Sequence, residues 1–360
     1  MAIDYGSSLG RLKARRLGYD RDPGSIVEAM TRRERYEGRA SSTATRYALG
    51  AMQAVDPEYT RICEEEAARV VAQLEGGLAA VSKAAHYRLQ GSVPLNVHIR
   101  GSSDVDLLVL HGTYVTFDAA GARSHTYTPL ALSMLSEVIA LRSSCEDVLE
   151  RRNWGAEVDK SGRKAIRLSG GAFKREIDVV PAHWNDGVAY QASLDDDDRG
   201  VCILDRSVPE LLTNLPFLHM RRVEEKDGRT GGGAKMAIRL LKNIKADVDK
   251  AIALSSFELA GLVWNCPDVQ LWVAPTMDLK VLAGIERHLS TLAGNYRAAA
   301  SLRTPDDSRL IIDEPSKFTA LVALAAEVSA LTSTVLSEIV PLSTRLLEGD
   351  TALAKVAIPA

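Results

Sequence analysis

The fold is decided by two short segments, LQGS at residues 89–92 and DVDLLV at residues 104–109, which eleven residues separate. The second segment is typical of a strand, in which residues i and i+2 point to the same face. Asp104 and Asp106 therefore place two carboxylates side by side at the start of an apolar strand. Because neighbouring like charges repel, and burial increases that cost, the pair predicts a bound cation.

A third carboxylate, Asp178, lies within the apolar segment IDVVP at residues 177–181. Carboxylate oxygens suit Mg²⁺, which commonly uses a few carboxylates together with substrate phosphates. Two ions ~3.5–4 Å apart need bridging carboxylates, and three aspartates on adjacent strands can supply them. The sequence therefore predicts a site for two Mg²⁺ ions, for which Mn²⁺ can substitute. Asp104, Asp106 and Asp178 are its predicted metal ligands and catalytic residues.

Gly91 and Ser92 end the first short strand and begin the intervening loop. Glycine lets the backbone approach a phosphate closely, and the neighbouring N–H groups can form an anion nest. The Ser92 hydroxyl adds a further donor. Because only eleven residues separate Ser92 from Asp104, the sequence predicts that this loop binds phosphate.

A basic stripe on a helix predicted at residues 234–247 offers cations for the same phosphates. Lys235, Arg239 and Lys242 share one face of that helix. Such a stripe is usually a solvated face of a helix. A triphosphate site, however, needs added positive charge, which Lys supplies as a point charge. We therefore expect this stripe to contact the triphosphate.

The composition sets broad limits on function. The chain has 360 residues and a formal net charge of −3, so it lacks the overall basic excess typical of a nonspecific nucleic-acid binder. Four widely spaced cysteines indicate buried reduced thiols rather than a disulfide framework or a zinc site. No apolar run approaches the ~20 residues of a membrane span, and the start of the chain lacks a signal-peptide core. We therefore expect a cytoplasmic protein without membrane contact.

The pattern of elements predicts an α+β fold. An irregular arm occupies the first 40 residues, and a helix at residues 57–74 begins at the N-cap Asp56 and stops at Gly76 and Gly77. Further strands are expected at residues 87–89, 104–110, 164–168, 175–180 and 188–191. Further helices are expected at residues 129–151, 234–247, 257–263, 277–300 and 316–347.

This order predicts two lobes. Residues 1–206 form a catalytic sheet lobe that includes the arm and the long helix, and residues 207–360 form a helical lobe, with the active site in the cleft between them. Residues 160–163 are expected to form a hairpin turn, residues 195–198 a solvated acidic turn without metal, and residues 224–233 a mobile loop.

These segments together resemble the polymerase-β-like nucleotidyltransferase superfamily. Its pattern is a strand ending in Gly-Ser, an Asp-x-Asp about a dozen residues later, and a third Asp on a following strand. Within that superfamily the chain resembles the bacterial CD-NTases, which are relatives of cyclic GMP-AMP synthase and oligoadenylate synthase. The supporting phrases are LQGSVPLNVHIRGSSDVDLLV at residues 89–109, KREIDVVPAHW at 174–184, KMAIRLLKNIK at 235–245, SSFEL at 255–259 and TPDD at 304–307.

The resemblance implies roles for particular residues. The three aspartates match the family's metal ligands, and Gly91 and Ser92 match its phosphate loop. Lys242 and Ser256 match the residues that contact the triphosphate, and Phe257 stands where an aromatic side chain stacks on a base. Val97 departs from the Thr that relatives often carry, which leaves the placement of the loop open.

The resemblance implies an enzyme that condenses nucleoside triphosphates, ATP among them, into a cyclic di- or trinucleotide second messenger. Such a synthase acts in bacterial antiphage signalling, beside an effector that binds the product and with a regulatory protein partner, and it does not require nucleic acid. The alternative keeps the chemistry but transfers nucleotides to RNA, tRNA or a protein, as a toxin does. A third class, a degenerate fold acting as a scaffold, is disfavoured because all three acidic positions and Ser92 are present.

Overall fold

The computed structural model describes residues 4–17, 34–153 and 155–358, and the chain divides into two compact units. One unit, called here the sheet unit, comprises residues 56–95 and 103–221. The other, called here the helical unit, comprises Met1–Val55, Asn96–Ser102 and Arg222–Ala360.

The sheet unit contains the eight strands of one mixed sheet. They are β1 (Ala85–Gln90), β2 (Val105–His111), β3 (Thr116–Phe117), β4 (Glu157–Asp159), β5 (Ile166–Ser169), β6 (Ile177–Asp186), β7 (Gly200–Asp205) and β8 (Glu210–Asn214). The main order is β1-β2-β6-β5-β4, with β3 and the β7–β8 hairpin joined to β6. Strand β6 runs parallel to β2 and antiparallel to β5 and β7. Together with the helices described next, this sheet confirms the predicted α+β class.

The helices lie in both units. They are α1 (Tyr5–Leu17), α2 (Arg35–Arg39), α3 (Thr43–Met52), α4 (Pro57–Ala79), α5 (Met134–Arg152), α6 (Val188–Ser193), α7 (Pro216–Arg229), α8 (Gly233–Asp247), α9 (Ser256–Trp264), α10 (Asp268–Leu271), α11 (Leu279–Ala293), α12 (Tyr296–Ala300), α13 (Pro315–Ile339) and α14 (Leu342–Glu348). Short 3₁₀ helices occupy Ser124–Thr126, Asp196–Asp198 and Gly349–Lys355.

The units differ from the predicted division at residues 206 and 207. Strand β8 extends the sheet past that point by pairing with β7. The expected arm is partly helical, and α1 packs within the helical unit, where Arg15 pairs with the buried carboxylate of Asp247 at the end of α8. Part of the arm, residues 18–33, lies outside the described residues.

Helix α4 continues through the glycines that were expected to stop it. A Cβ on Gly77 would lie 2.5 Å from both methyl carbons of Val148 on α5, whereas one on Gly76 would meet nothing within 4 Å. Gly77 therefore allows α4 and α5 to pack closely. The prediction that the Gly-Gly pair ends the helix was wrong, because Gly77 serves the close packing of two helices rather than a turn.

Four further local predictions were wrong. The helix expected at residues 316–347 is two helices, α13 and α14, which Val340 and Pro341 separate. The strand expected at residues 188–191 is helix α6. The loop expected at residues 224–233 is the end of α7 followed by a tight turn, in which Gly231 and Gly232 have positive φ and Thr230 is fully buried. The helix expected at 277–300 is two helices, α11 and α12, which Gly294 separates. The hairpin expected around residues 160–163 is confirmed by the antiparallel pairing of β4 and β5.

Helix α13 is long and apolar enough, by length and composition, to cross a membrane. This corrects the expectation that no apolar run approaches that length. Half of its most apolar stretch is buried, and it packs against α11 and α3 within the helical unit. A core helix has the same composition, because it is apolar on most of its surface. The cytoplasmic location stays a prediction.

All four cysteines are buried free thiols, as the sequence predicted. Burial raises the pKa of Cys63 to about 11 and that of Cys145 to about 12. These thiols are therefore protonated near neutral pH and serve as small core residues.

Candidate functional site

The structure brings the three predicted aspartates to one end of the sheet. In the parallel pairing of β2 with β6, Asp106 lies directly opposite Asp178. Asp104 stands immediately before β2, two residues from Asp106 and so on the same face. The prediction that the two strands are neighbours is confirmed.

The predicted phosphate loop lies against the same carboxylates. Gln90, the last residue of β1, pairs with Asp106, and Gly91 follows with φ of +79°. A Cβ on Gly91 would lie 2.4 Å from Oδ2 of Asp106. Glycine is thus required twice here, by the left-handed backbone and by the close approach to the carboxylate.

The segment that follows the loop belongs to the other unit. Residues Asn96–Ser102 cluster with the helical unit, where Val97 and Ile99 are buried and the Arg239 guanidinium donates to the carbonyl of Asn96. Val97 is therefore a core residue of the helical unit, which accounts for an apolar side chain at this position.

Arg167 contacts two of the aspartates, and the sequence reading had missed it. It lies opposite Asp178 in the antiparallel pairing of β5 with β6. Its Nε donates to Asp178 Oδ1 at 3.0 Å, and its Nη2 lies 3.4 Å from Asp178 Oδ2 and 3.5 Å from Asp104 Oδ2. Its Nη1 is 3.5 Å from Oε2 of Glu176. The hydrogen bond to Asp178, with the nearby negative charges, raises the pKa of the Arg167 guanidinium.

Glu66 anchors the segment that precedes β6. This carboxylate is buried on α4 and accepts hydrogen bonds from the backbone N–H groups of Lys174 and Arg175, at 2.8 and 3.0 Å. The segment leading to Asp178 is thereby fixed to a helix. The signal was present in the sequence, because Glu66 occurs among the apolar positions of α4 that face the core.

The three carboxylates fit divalent ions by donor type and by strand register. Among residues 4–17, 34–153 and 155–358, no three His, Cys, Asp or Glu side chains are arranged as they stand to hold a metal ion. Arg167 lies against Asp104 and Asp178 instead. Register fixes the Cα atoms, whereas carboxylates rotate about their side-chain bonds, so the donor set suits the oxygen coordination of Mg²⁺.

The three residues of the basic stripe on α8 have different surroundings. Lys235 pairs with Glu224 on α7, at 2.6 Å. Arg239 is buried and donates to the backbone carbonyls of Met52 and Asn96, and burial lowers its pKa to about 10. Lys242 is also buried, with 5% of its surface exposed. Because Lys242 and the aspartates belong to different units, its contact with triphosphate stays a prediction.

Ser256 and Phe257 begin helix α9 in the helical unit. The cap itself is Ser255, which forms a capping box with Glu258, and Ser256 occupies the next, exposed position. The Phe257 ring is half-buried, and the Arg309 guanidinium lies 4.8 Å from its centroid. Their roles in binding triphosphate and base stay predictions.

A cavity of about 530 Å³ lies in the sheet unit away from these residues. Its lining consists of Glu146, Lys160, Ser161, Arg163, Arg206 and Ser207. None of the predicted site residues is among them. We place the candidate site at the aspartates because functional groups, not the size of a concavity, define the chemistry.

Comparison with known proteins identifies clear relatives. Residues 221–329 match the family model described as the cGAS/DncV-like nucleotidyltransferase C-terminal helical domain. A cyclic dinucleotide synthase, CdnE of Yersinia aleksiciae, is 38% identical over 313 residues, which cover 85% of this chain and 80% of that protein. A c-di-GMP synthase of a Lachnospiraceae bacterium (strain RUG226) is 26% identical over 289 residues, covering 74% of this chain and 80% of that protein.

A solved structure is similar in fold to most of this chain. The STING-associated CdnE c-di-GMP synthase of Capnocytophaga granulosa aligns with a TM-score of 0.76 at 25% identity, over 93% of this chain and 99% of that one. The similarity in sequence and the similarity in fold therefore point to the same group of proteins.

Proposed function

Because the chain belongs to the bacterial CD-NTase family, we propose that it condenses two nucleoside triphosphates into a cyclic dinucleotide. The family and its polymerase-β-like fold agree with the sequence prediction. Of the two ring sizes expected, the dinucleotide is favoured by the names of the relatives. The observation that carries the proposal is the pairing of Asp106 with Asp178 beside the Gly91 turn.

The proposed reaction consists of two nucleotidyl transfers. In each, a ribose hydroxyl oxygen attacks the α-phosphorus of a triphosphate, a new P–O bond forms, and the bond to pyrophosphate breaks. The hydroxyl proton is lost, and pyrophosphate leaves with the bonding electrons. The first transfer links the nucleotides and the second closes the ring. Such chemistry asks the protein mainly for positioning and for neutralisation of charge.

The charged groups have distinct proposed roles. Asp104, Asp106 and Asp178 would hold two Mg²⁺ ions, or Mn²⁺ in their place. Bound there, the ions would supply charge neutralisation for the reacting phosphate and a lower pKa for the attacking hydroxyl. The carboxylates fit this role because their neighbouring strands bring them to one face.

Nucleotide binding is proposed for five further residues. The turn at Gly91 and Ser92 would direct backbone N–H groups and a hydroxyl toward phosphates. Lys242 and Ser256 would contact the triphosphate, and Phe257 would stack on a base. The family model matches residues 221–329, which include these last three residues.

The proposed setting is signalling in the bacterial cytoplasm. The solved relative from Capnocytophaga granulosa is described as STING-associated, which supports an effector that binds the product of this chain. We extend the proposal to antiphage defence and to a regulatory protein partner. Nucleic acid is not required in this scheme, and the near-neutral net charge agrees with that.

The product decides between this proposal and its alternative. The purified chain is incubated with all four labelled nucleoside triphosphates and Mg²⁺ or Mn²⁺, treated with phosphatase, and examined by mass spectrometry. A phosphatase-resistant cyclic dinucleotide is expected. Label found only on linear products, or on added RNA, tRNA or protein, would instead support transfer to an external acceptor.

A further inference from the structure

Arg167 is placed to act on the aspartate site, and nothing in the predicted catalytic set includes it. At one level of the sheet, Asp106, Asp178 and Arg167 lie side by side on strands β2, β6 and β5. Paired residues on adjacent strands project from the same face. The side chain of Arg167 therefore starts beside the carboxylates rather than reaching them from a distant loop.

The contacts of Arg167 join carboxylates from separate segments. Its Nε and Nη2 face the two oxygens of Asp178, at 3.0 and 3.4 Å. The same Nη2 lies 3.5 Å from Asp104 Oδ2, so the two aspartate oxygens are no farther apart than the sum of these two distances. Nη1 lies 3.5 Å from Glu176. A guanidinium suits this task because its donors form a fixed planar fork.

The ion pairs of Arg167 are partly open to solvent. The side chain of Arg167 is 45% exposed, that of Asp104 is 39% exposed and that of Asp178 is 17% exposed, so solvent screens the contact with Asp104 more than the contact with Asp178. Ion pairs that solvent screens are weak. Arg167 therefore neutralises part of the local negative charge without binding so tightly that a divalent ion could not replace it.

A divalent ion and the guanidinium favour the same oxygens. An ion bound to Asp178 would lie within a few ångströms of a like charge on Arg167, and such proximity is unfavourable. We propose that Arg167 is a positioning residue that holds Asp104 and Asp178 together before metal binds and competes with the ions for these carboxylates. The inference rests on the proposed function, since it takes the aspartates as the metal ligands.

Direct metal binding tests the competition. Mn²⁺ is titrated into metal-free protein without nucleotide, and its Kd is measured by calorimetry. Arg167→Gln replaces the guanidinium with a shorter, neutral polar side chain and should bind Mn²⁺ about tenfold more tightly, the change expected when a few partly exposed ion pairs no longer oppose the ion. Arg167→Lys keeps the charge without the planar fork and should give an intermediate Kd.

A matched control is available on the same hairpin. Arg163 is exposed and pairs with Asp205 rather than with the aspartate site, so Arg163→Gln removes one charge elsewhere and should leave the Kd unchanged. As a second readout, the metal-free melting temperature should fall in Arg167→Gln, because the clustered carboxylates lose their cation, and Mn²⁺ should raise it by more than in the unmodified protein.

The failure of this inference can be told apart from that of the proposed function. If Asp106→Asn abolishes Mn²⁺ binding but Arg167→Gln and Arg167→Lys bind as the unmodified chain does, the competition is refuted and the metal site stands. If Mn²⁺ binding survives in Asp106→Asn, the assignment of the metal ligands itself is refuted, and the role of Arg167 with it.

Discussion

Asp106 and Asp178 lie directly opposite each other on the parallel strands β2 and β6. Parallel strands place residues that are distant in the chain at one level of the sheet, here 72 positions apart in the numbering. The Gly91 turn approaches Asp106 from the other side, through β1. The candidate site is thus built on paired strands, which hold their positions more rigidly than loops do.

Substitution of Gly91 should affect the site more than the fold. In Gly91→Ala the new Cβ would meet Oδ2 of Asp106 at 2.4 Å, in a backbone with φ of +79°. We expect product formation to fall at least about tenfold, because misplacement by ~1 Å is costly in catalysis. Product yield and melting temperature are measured together.

Gly155 supplies the control for backbone strain. It also has positive φ, +92°, but a Cβ there would meet nothing within 4 Å. Gly155→Ala should lose about 1–2 kcal/mol of stability from the left-handed backbone while retaining activity. Equal activity in the two variants would contradict a functional role for the close approach to Asp106.

Glu66 should be required for both stability and activity. Glu66→Gln replaces one acceptor oxygen by an NH₂ group, which cannot accept from the N–H groups of Lys174 and Arg175. Leaving one of these part-buried N–H groups without its acceptor, beside the buried side chain of residue 66, should cost about 1 kcal/mol, measured by urea unfolding. Product formation should also fall, since this segment leads to Asp178. Glu64→Gln, on an exposed position of the same helix, is the control, and equal stability of the two variants would refute the anchoring role.

The two neighbouring glycines of α4 should respond in opposite directions. Gly77→Ala puts a Cβ 2.5 Å from the methyl groups of Val148, and overpacking of this kind costs about 1–3 kcal/mol. Gly76→Ala meets nothing within 4 Å and should stabilise the chain by about 0.4–1 kcal/mol, because alanine restricts the unfolded state. Free energies of unfolding compare the two variants, and a loss of stability in both would argue against the packing explanation.

The part of the site that depends on local spacing in the sequence could be predicted from the sequence. Asp104 and Asp106 share a face in any strand, and Gly91, which follows a short strand, indicates a turn. The pairing of Asp178 with Asp106 followed from the family pattern, and the register agrees with it. Arg167 could not be found in this way, because its importance comes from the antiparallel pairing of β5 with β6, and sequence spacing does not specify which strands pair.

The failures in the fold share a physical cause. The Gly-Gly pair in α4, the glycine-rich segment after α7 and the boundary at residue 206 were all interpreted from local composition. In each case packing decided otherwise: Gly77 lies against Val148, Thr230 is fully buried, and β8 pairs with β7. Local preferences of about 1 kcal/mol are smaller than the free energy of burying an apolar side chain.

The central claim is that the paired aspartates carry out nucleotidyl transfer, and one measurement tests it most directly. Asp104→Asn with Asp106→Asn keeps side-chain size and removes two carboxylate charges. Formation of phosphatase-resistant product from labelled nucleoside triphosphates and Mg²⁺ is compared with that of the unmodified chain, and circular dichroism and melting temperature check the fold. We predict that the double variant folds with metal-free stability close to that of the unmodified chain, because the repulsion between clustered carboxylates and the ion pair of Asp104 with Arg167 are lost together, and that it forms no product. Product formed at the unmodified rate by the folded double variant would contradict the account.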